Sequence, residues 1–125
     1  MNTDEVNHIS ERVIGCAFCV ANTLGQGFLE TVYEKALAHE LRKAGPTVAQ
    51  QHGMAVTYDG VIVGEYIVYL LVENFLLVEL KYAKALNLIH SAQCLNYLKT
   101  TGLRFCLLFN FGAPRLEIRR LVAGF

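Results

Sequence analysis

Between Val48 and Lys81 the chain is nearly continuous β-forming sequence, punctuated only at Asp59-Gly60 and near Glu73-Asn74, and no other stretch constrains the fold as much. Asp-Gly between two such runs supplies the two residues that best accept positive φ in a tight hairpin turn. The pattern predicts three antiparallel strands in a meander, over residues 48–58, 61–72 and 75–81. The third runs from Phe75 to Val78 and then into Glu79-Leu80-Lys81. Because residues i and i+2 of a strand share a face, it presents a carboxylate and an ammonium side by side. A carboxylate can hold a hard divalent cation, and a neighbouring lysine can position or activate a water and steady negative charge. The pair is half of a metal-dependent phosphodiesterase site.

Helical sequence flanks the meander. Val6, Ile9, Val13, Ala17, Val20 and Leu24 recur at three- and four-residue steps, with Thr3 as N-cap and Asp4 and Glu5 in the first turn. That spacing predicts an amphipathic helix over residues 4–24, ended by Gly25-Gln26-Gly27. Leu29, Val32, Ala36, Leu37 and Leu41 predict a second helix, which Gly45-Pro46 stops. Beyond the meander, Ile89, Ala92, Leu95 and Leu98 predict a helix over residues 88–101 with Gly102 at its end. Leu103 to Phe111 reads as an apolar strand, and Leu116 to Val122, after Pro114, as a last edge strand. The expected order is ααβββαββ, one domain over residues 1–125. A helix between the third and fourth strands implies a crossover, so the sheet mixes parallel with antiparallel pairing. The class is α+β or α/β, with a mixed central sheet flanked by helices.

Composition sharpens this. At 54% hydrophobic and 18% charged, the 125 residues are more apolar than one small core requires. Both faces of the sheet are therefore expected to be covered, and apolar surface to be buried between copies in a homo-oligomer. Eleven basic and eleven acidic residues cancel, which removes the simplest electrostatic route to nucleic acid without excluding it. Arg115, Arg119 and Arg120, with Lys81, Lys84, Lys99 and Arg104, form either a solvated charged face or a phosphate-binding strip. Gly64, Glu65 and Glu73 interrupt the longest apolar stretch below the ~18 residues of a membrane span, so no membrane partner is expected. The polar, acidic start from Met1 to Glu5 lacks a signal-peptide pattern, and the expected location is cytoplasmic. Cys16, Cys19, Cys94 and Cys106 read as small buried hydrophobes, since the single C-x-x-C lacks a second pair to complete a zinc tetrahedron. His8, His39 and His52 are scattered and are assigned no metal.

Three motifs fall in one order. Gly27-Phe28-Leu29-Glu30-Thr31-Val32-Tyr33 opens the second helix, Val78-Glu79-Leu80-Lys81 ends the third strand, and Gln93-Cys94-Leu95-Asn96-Tyr97 lies on the third helix. With the element order, and with Leu107 to Gly112 near the end, they resemble the GxxExxY protein family, a branch of the PD-(D/E)XK nuclease-like superfamily. The resemblance implies a core in which a helical acid, a strand-two acid and an E-x-K pair converge on one or two magnesium ions beside a scissile phosphate. Carried over by motif, Glu30 is the helical acid, Glu79 the metal-binding acid and Lys81 the catalytic lysine. Gln93 and Tyr97 are the auxiliary helix motif.

The strand-two acid does not carry over. The family pattern has an Asp before Leu-Leu-Val-Glu, whereas Tyr69 precedes Leu70-Leu71-Val72-Glu73 here. Glu65 and Glu73 each lie four residues away, about 13 Å along a strand, too far for ligands that must approach one cation within ~2.5 Å. A phenol with a pKa near ~10 is a poor ligand for a hard ion, and its ring can fill the cavity. Mg²⁺ or Mn²⁺ on Glu30 and Glu79 is thus expected to bind weakly or not at all, leaving the site vestigial. Lys81 would then pair with Glu79 or Glu30 in place of a metal. His90, Gln93 and Tyr97 share a helix face that either touches the lysine or a nucleic-acid backbone, or satisfies the adjacent sheet. Three functions follow: an inactive nuclease fold serving as a nucleic-acid-binding or protein-interaction module, a Mg²⁺-dependent DNA nuclease, or a self-assembling structural homo-oligomer.

Overall fold

The computed structural model describes residues 2–124. Its elements are α1 (Thr3–Leu24), α2 (Glu30–Ala44), β1 (Val48–Tyr58), β2 (Val61–Val72), β3 (Leu76–Lys81), α3 (Leu88–Thr101), β4 (Phe105–Asn110) and β5 (Glu117–Val122), in the expected order. The five strands form one sheet, β1-β2-β3-β4-β5. β3 and β4 run parallel, joined by the α3 crossover, and the other neighbours are antiparallel. Asp59 and Gly60 take φ of 54° and 77°, the left-handed pair that a tight hairpin requires.

Alternation along the strands builds two cores. Leu76, Val78 and Leu80 of β3 join Leu107 and Phe109 of β4 against Val13, Val20, Tyr33, Leu37 and Leu41 of α1 and α2. Leu77, Cys106 and Leu108 face the other way, against Cys94, Tyr97 and Leu98 of α3. Both sides of the central strands are therefore dry, which explains their unbroken apolar sequence.

Several local expectations need correction. The cap of α1 is Asn2, not Thr3: its side chain accepts the Glu5 amide at 2.8 Å, and Thr3 is already helical. Of the stripe expected to face inward on α3, only Leu98 is buried. Ile89 is 70% and Leu95 43% exposed, and the buried stripe is Cys94, Tyr97 and Leu98. Arg119 fixes this rotation by donating to the Ser91 hydroxyl at 2.8 Å and to the Asn87 carbonyl at 3.1 Å, which turns the Ser91 side of α3 toward the sheet. The arginines also separate. Arg119 reaches α3 while Arg120 donates to Asn7 of α1 at 3.0 Å, because adjacent strand residues point to opposite faces. Arg119 and Arg120 therefore share no face. Of the cysteines, Cys94 and Cys106 are buried as expected, but Cys19 is exposed and Cys16 only half-buried.

β2 pairs with β3 only from Leu70 to Val72, so the first two strands continue beyond the sheet as a two-stranded ribbon. Among the described residues no helix is long and apolar enough to cross a membrane.

The segment leaving β3 is tied to β4 by Asn110, which is fully buried. Its Oδ1 accepts the Ala83 and Gly112 amides at 2.9 and 3.0 Å, and its Nδ2 donates to the Ala83 carbonyl at 2.9 Å. The close approach requires Gly112: a Cβ there would lie 2.5 Å from the Ala83 nitrogen and 2.6 Å from its oxygen. Backbone atoms cannot swing aside, so Gly112→Ala is expected to cost about 1–3 kcal/mol and lower Tm in a circular-dichroism melt. An unchanged Tm would contradict this account of the β3–β4 junction.

Candidate functional site

The site lies where β2 parts from β3. Leu70 opposite Val78 is the last ladder pair, and the next step would place Tyr69 opposite Glu79. There the Tyr69 amide donates to the Glu79 carboxylate at 3.1 Å. On the other side of β2 the β1 ladder skips the same step, between Gln50–Leu70 and His52–Val68, and Gln51 adopts a φ of 55°. A side-chain carboxylate thus forms the floor of a fork in the sheet.

Glu30, the first residue of α2, closes the fork from above. Its Oε1 accepts the Tyr69 hydroxyl at 2.5 Å and its Oε2 accepts the Tyr82 amide at 3.1 Å. Two tyrosines hold the preceding loop. Tyr33, fully buried, donates to the Gly25 carbonyl at 2.6 Å, and the Tyr82 hydroxyl accepts the Gly27 amide at 2.6 Å. The Tyr33 ring stacks on Phe111 at 4.6 Å and on Tyr82 at 6.0 Å between centroids. Such stacking adds to simple area burial and anchors the start of α2 against the ends of β3 and β4. The E-x-x-Y spacing has a mechanical meaning here: Tyr33 fixes the loop, and the loop aims Glu30.

The electrostatics follow from burial. Glu79 is 3% exposed. Desolvation pushes its pKa up to about 7, aided by the Glu30 charge and opposed by the Tyr69 amide and the Lys81 charge. Tyr69 is raised far above its ordinary value by burial, then by its bond to Glu30 and the charges of Glu30, Glu79 and Glu34. It remains a neutral donor. Tyr97 is pushed up to about 12, by burial first and then by the Glu79 charge. Gln93 is exposed on the outer side of α3, and no hydrogen bond to it is found among the described residues. His90 is taken up by a capping box with Asn87.

The expected ion pairs of Lys81 do not form. Among the described residues the only salt bridge is Lys43–Glu40 at 3.3 Å. Glu79 has turned to the Tyr69 amide, and both oxygens of Glu30 are taken by Tyr69 and Tyr82, so neither is directed at the half-buried ammonium.

A divalent cation does not fit these residues. Hard ions take several carboxylate or carbonyl oxygens, and here every oxygen of Glu30 and one of Glu79 already accepts a protein hydrogen bond. Among the described residues no three His, Cys, Asp or Glu side chains are grouped to hold a metal. Glu73 cannot stand in for the missing acid: it accepts the Thr47 hydroxyl at 2.5 Å and amide at 3.1 Å, which lower its pKa. Glu65 is exposed on the ribbon.

Sequence reasoning passed over Tyr82 and Glu34. Tyr82 gives no signal, since its bonds to Glu30 and Gly27 depend on tertiary contacts. Glu34 gave one: it lies one helical turn after Glu30, on the same face. Buried at 2% exposure, it accepts Gln50 Nε2 at 2.9 Å and Gln51 Nε2 at 2.5 Å, tying α2 to β1 at the interrupted ladder step.

Comparison with known proteins bears on the fold. The family model described as the PD-(D/E)XK nuclease superfamily matches residues 7–121. The solved structure of SSO0001 superposes with a TM-score of 0.60 over 77% of this chain, at 14% identity, a likeness of fold alone. The chain spans about half of that protein, 48% of its length. No curated protein matches.

Glu79 makes stability depend on pH. Its folded pKa of about 7 exceeds the ordinary 4.5, so between those values the folded chain holds a proton that the unfolded chain has released. Stability contributed by this group is present at low pH and is lost as pH rises through the window. Glu79→Gln should therefore gain on the parent from about pH 4 to about pH 8, by up to on the order of 3 kcal/mol in urea unfolding. A difference that stays flat with pH would contradict a buried, protonated Glu79.

Proposed function

From the premise that this chain belongs to the PD-(D/E)XK nuclease superfamily, we propose that it is a nuclease fold with a disabled metal centre. It serves as a self-associating module that binds nucleic acid or another protein. The observation that carries this reading is the Tyr69 hydroxyl seated on Glu30 where the strand-two acid of an active site would stand. The phenol supplies a proton where a metal centre needs a lone pair. Within the superfamily, Gly27, Glu30 and Tyr33 favour the GxxExxY branch, because the structure gives that spacing a mechanical reason.

Two further features support a binding role. Lys81 follows Glu79 on β3 and makes no salt bridge among the described residues, leaving an ammonium suited to a phosphate. The exposed apolar side chains of the ribbon, such as Tyr58, Val61 and Ile62, favour self-association. Four free cysteines are in keeping with a reducing compartment such as the cytoplasm. One feature favours the alternative, a working Mg²⁺- or Mn²⁺-dependent DNA nuclease: Glu79 and Lys81 remain neighbours on one strand face.

Calorimetric titration of Mn²⁺ and plasmid nicking decide between them. The parent is expected to bind no Mn²⁺ and leave DNA intact, whereas Tyr69→Asp gains Mn²⁺ binding that Glu79→Ala abolishes. If the parent nicks DNA and Lys81→Ala removes the activity, the disabled-centre reading is overturned.

A further inference from the structure

A second concave surface lies outside the fork. A cleft of about 590 Å³ opens between the end of α1, the loop after it and the turn that joins β4 to β5. Phe18 and Asn22 come from α1, Gln26 from the loop, and Phe111, Arg115 and Leu116 from the turn. None of Glu30, Tyr69, Glu79 and Lys81 lines it. Among the described residues its wall carries the Arg115 guanidinium and no carboxylate. Small-molecule sites are preformed concavities of roughly 300–1,000 Å³, with apolar walls and a few polar groups that fix orientation.

The walls are held by bonds the fold already makes. Gln26 Nε2 donates to the Gly112 carbonyl at 2.7 Å, tying the loop to the turn. The Gly25 carbonyl accepts the Tyr33 hydroxyl at 2.6 Å, and the Gly25 amide donates to the Ala21 carbonyl at 2.9 Å. Phe111 is buried and stacks on Tyr33, and the ring of Pro114 restricts the backbone just before Arg115. A ligand therefore meets a shape that exists without it, which lowers the ordering cost of binding.

Three side chains on these walls are left unused by the fold. Arg12, Arg42, Arg119 and Arg120 each donate a hydrogen bond within the chain, whereas Arg115 makes no hydrogen bond or salt bridge among the described residues. The Asn22 amide likewise has no partner among them. Phe18 is 44% exposed and belongs to neither core. We propose that the cleft binds a small organic anion, a flat apolar ring that carries a carboxylate or a phosphate ester. The planar guanidinium of Arg115 takes the oxyanion through two parallel hydrogen bonds, as it can with either group. Phe18 and Leu116 flank the ring, and Asn22 supplies a further donor. With no carboxylate on the wall an anion enters without repulsion, and a cation would find no partner. The charge also sets the size of the partner: a nucleic-acid strand is followed by a row of cations, and on this wall Arg115 stands alone among the described residues. The site is separate from the fork and does not depend on the function proposed for it.

Side-chain amide NMR of the ¹⁵N-labelled chain tests this with benzoate, phenyl phosphate and the neutral benzyl alcohol as probes. The Asn22 and Gln26 side-chain signals are expected to shift saturably with at least one of the anions and far less with the alcohol. Arg115→Gln is expected to weaken that binding about tenfold or more, as loss of a charge-assisted pair does, while Arg104→Gln leaves it unchanged. The anion that binds more tightly tells whether the cleft reads a carboxylate or a phosphate. Arg115 is exposed and bonds to nothing within the chain, so Arg115→Gln should melt with the parent, which a thermal scan verifies. Absence of saturable shifts at Asn22 and Gln26 with both anions overturns the site. Equal affinity for the alcohol, or an Arg115→Gln variant that binds as the parent does, overturns it as well.

Discussion

The hydrogen bond from the Tyr69 amide to the Glu79 carboxylate ends the β2–β3 ladder, and much of the molecule is organised by that interruption. A backbone donor that would have met a carbonyl meets a side chain instead, so the two strands diverge. The carboxylate that accepts it is buried under α3 and raised to about 7. On the near side of the fork the strands are dry on both faces. Beyond it, β1 and β2 run out as a ribbon with apolar side chains and an open edge.

The same interruption frees the Tyr69 side chain to reach α2. In an acid-rich fork, burial and the nearby charges of Glu30, Glu79 and Glu34 hold the phenol in its neutral, donating form. Glu30 is aimed at it by a loop clamped by Tyr33 and Tyr82, and its second oxygen is satisfied by the Tyr82 amide. Tyr69 thereby joins the two carboxylates of the fork in a hydrogen-bonded closure, its hydroxyl on Glu30 and its amide on Glu79. On the reading proposed above the fold is kept while the chemistry is given up, and membership of a nuclease superfamily does not by itself carry activity.

Most of the architecture was legible because it is written locally. Asp59-Gly60, Gly45-Pro46 and Gly102 punctuate the chain through backbone preferences that hold in any context, and the boundaries of α3 and the ribbon follow from them. The motifs around Glu30 and Glu79 located the site, and the absence of an acid at position 69 was visible directly. What was hidden depends on partners far along the chain. Tyr69 and Glu30 are 39 residues apart, and Tyr82 and Glu30 are 52 apart. The orientation of α3 was misread from its apolar spacing, because Arg119, on a distant strand, holds the Ser91 side of the helix against the sheet. The expected Lys81 ion pairs failed for a related reason: uncharged donors, the Tyr69 amide and hydroxyl and the Tyr82 amide, reached the carboxylates instead.

The central claim is that Tyr69 closes Glu30 to cations, and paramagnetic broadening tests it directly. With the glutamate side-chain carboxyls ¹³C-labelled, Mn²⁺ added to the unmodified protein should leave the Glu30 and Glu79 signals as sharp as those of buried Glu34. Selective loss of the Glu30 and Glu79 signals at low Mn²⁺ would contradict the account, since it would mean that a metal displaces the phenol and occupies the fork.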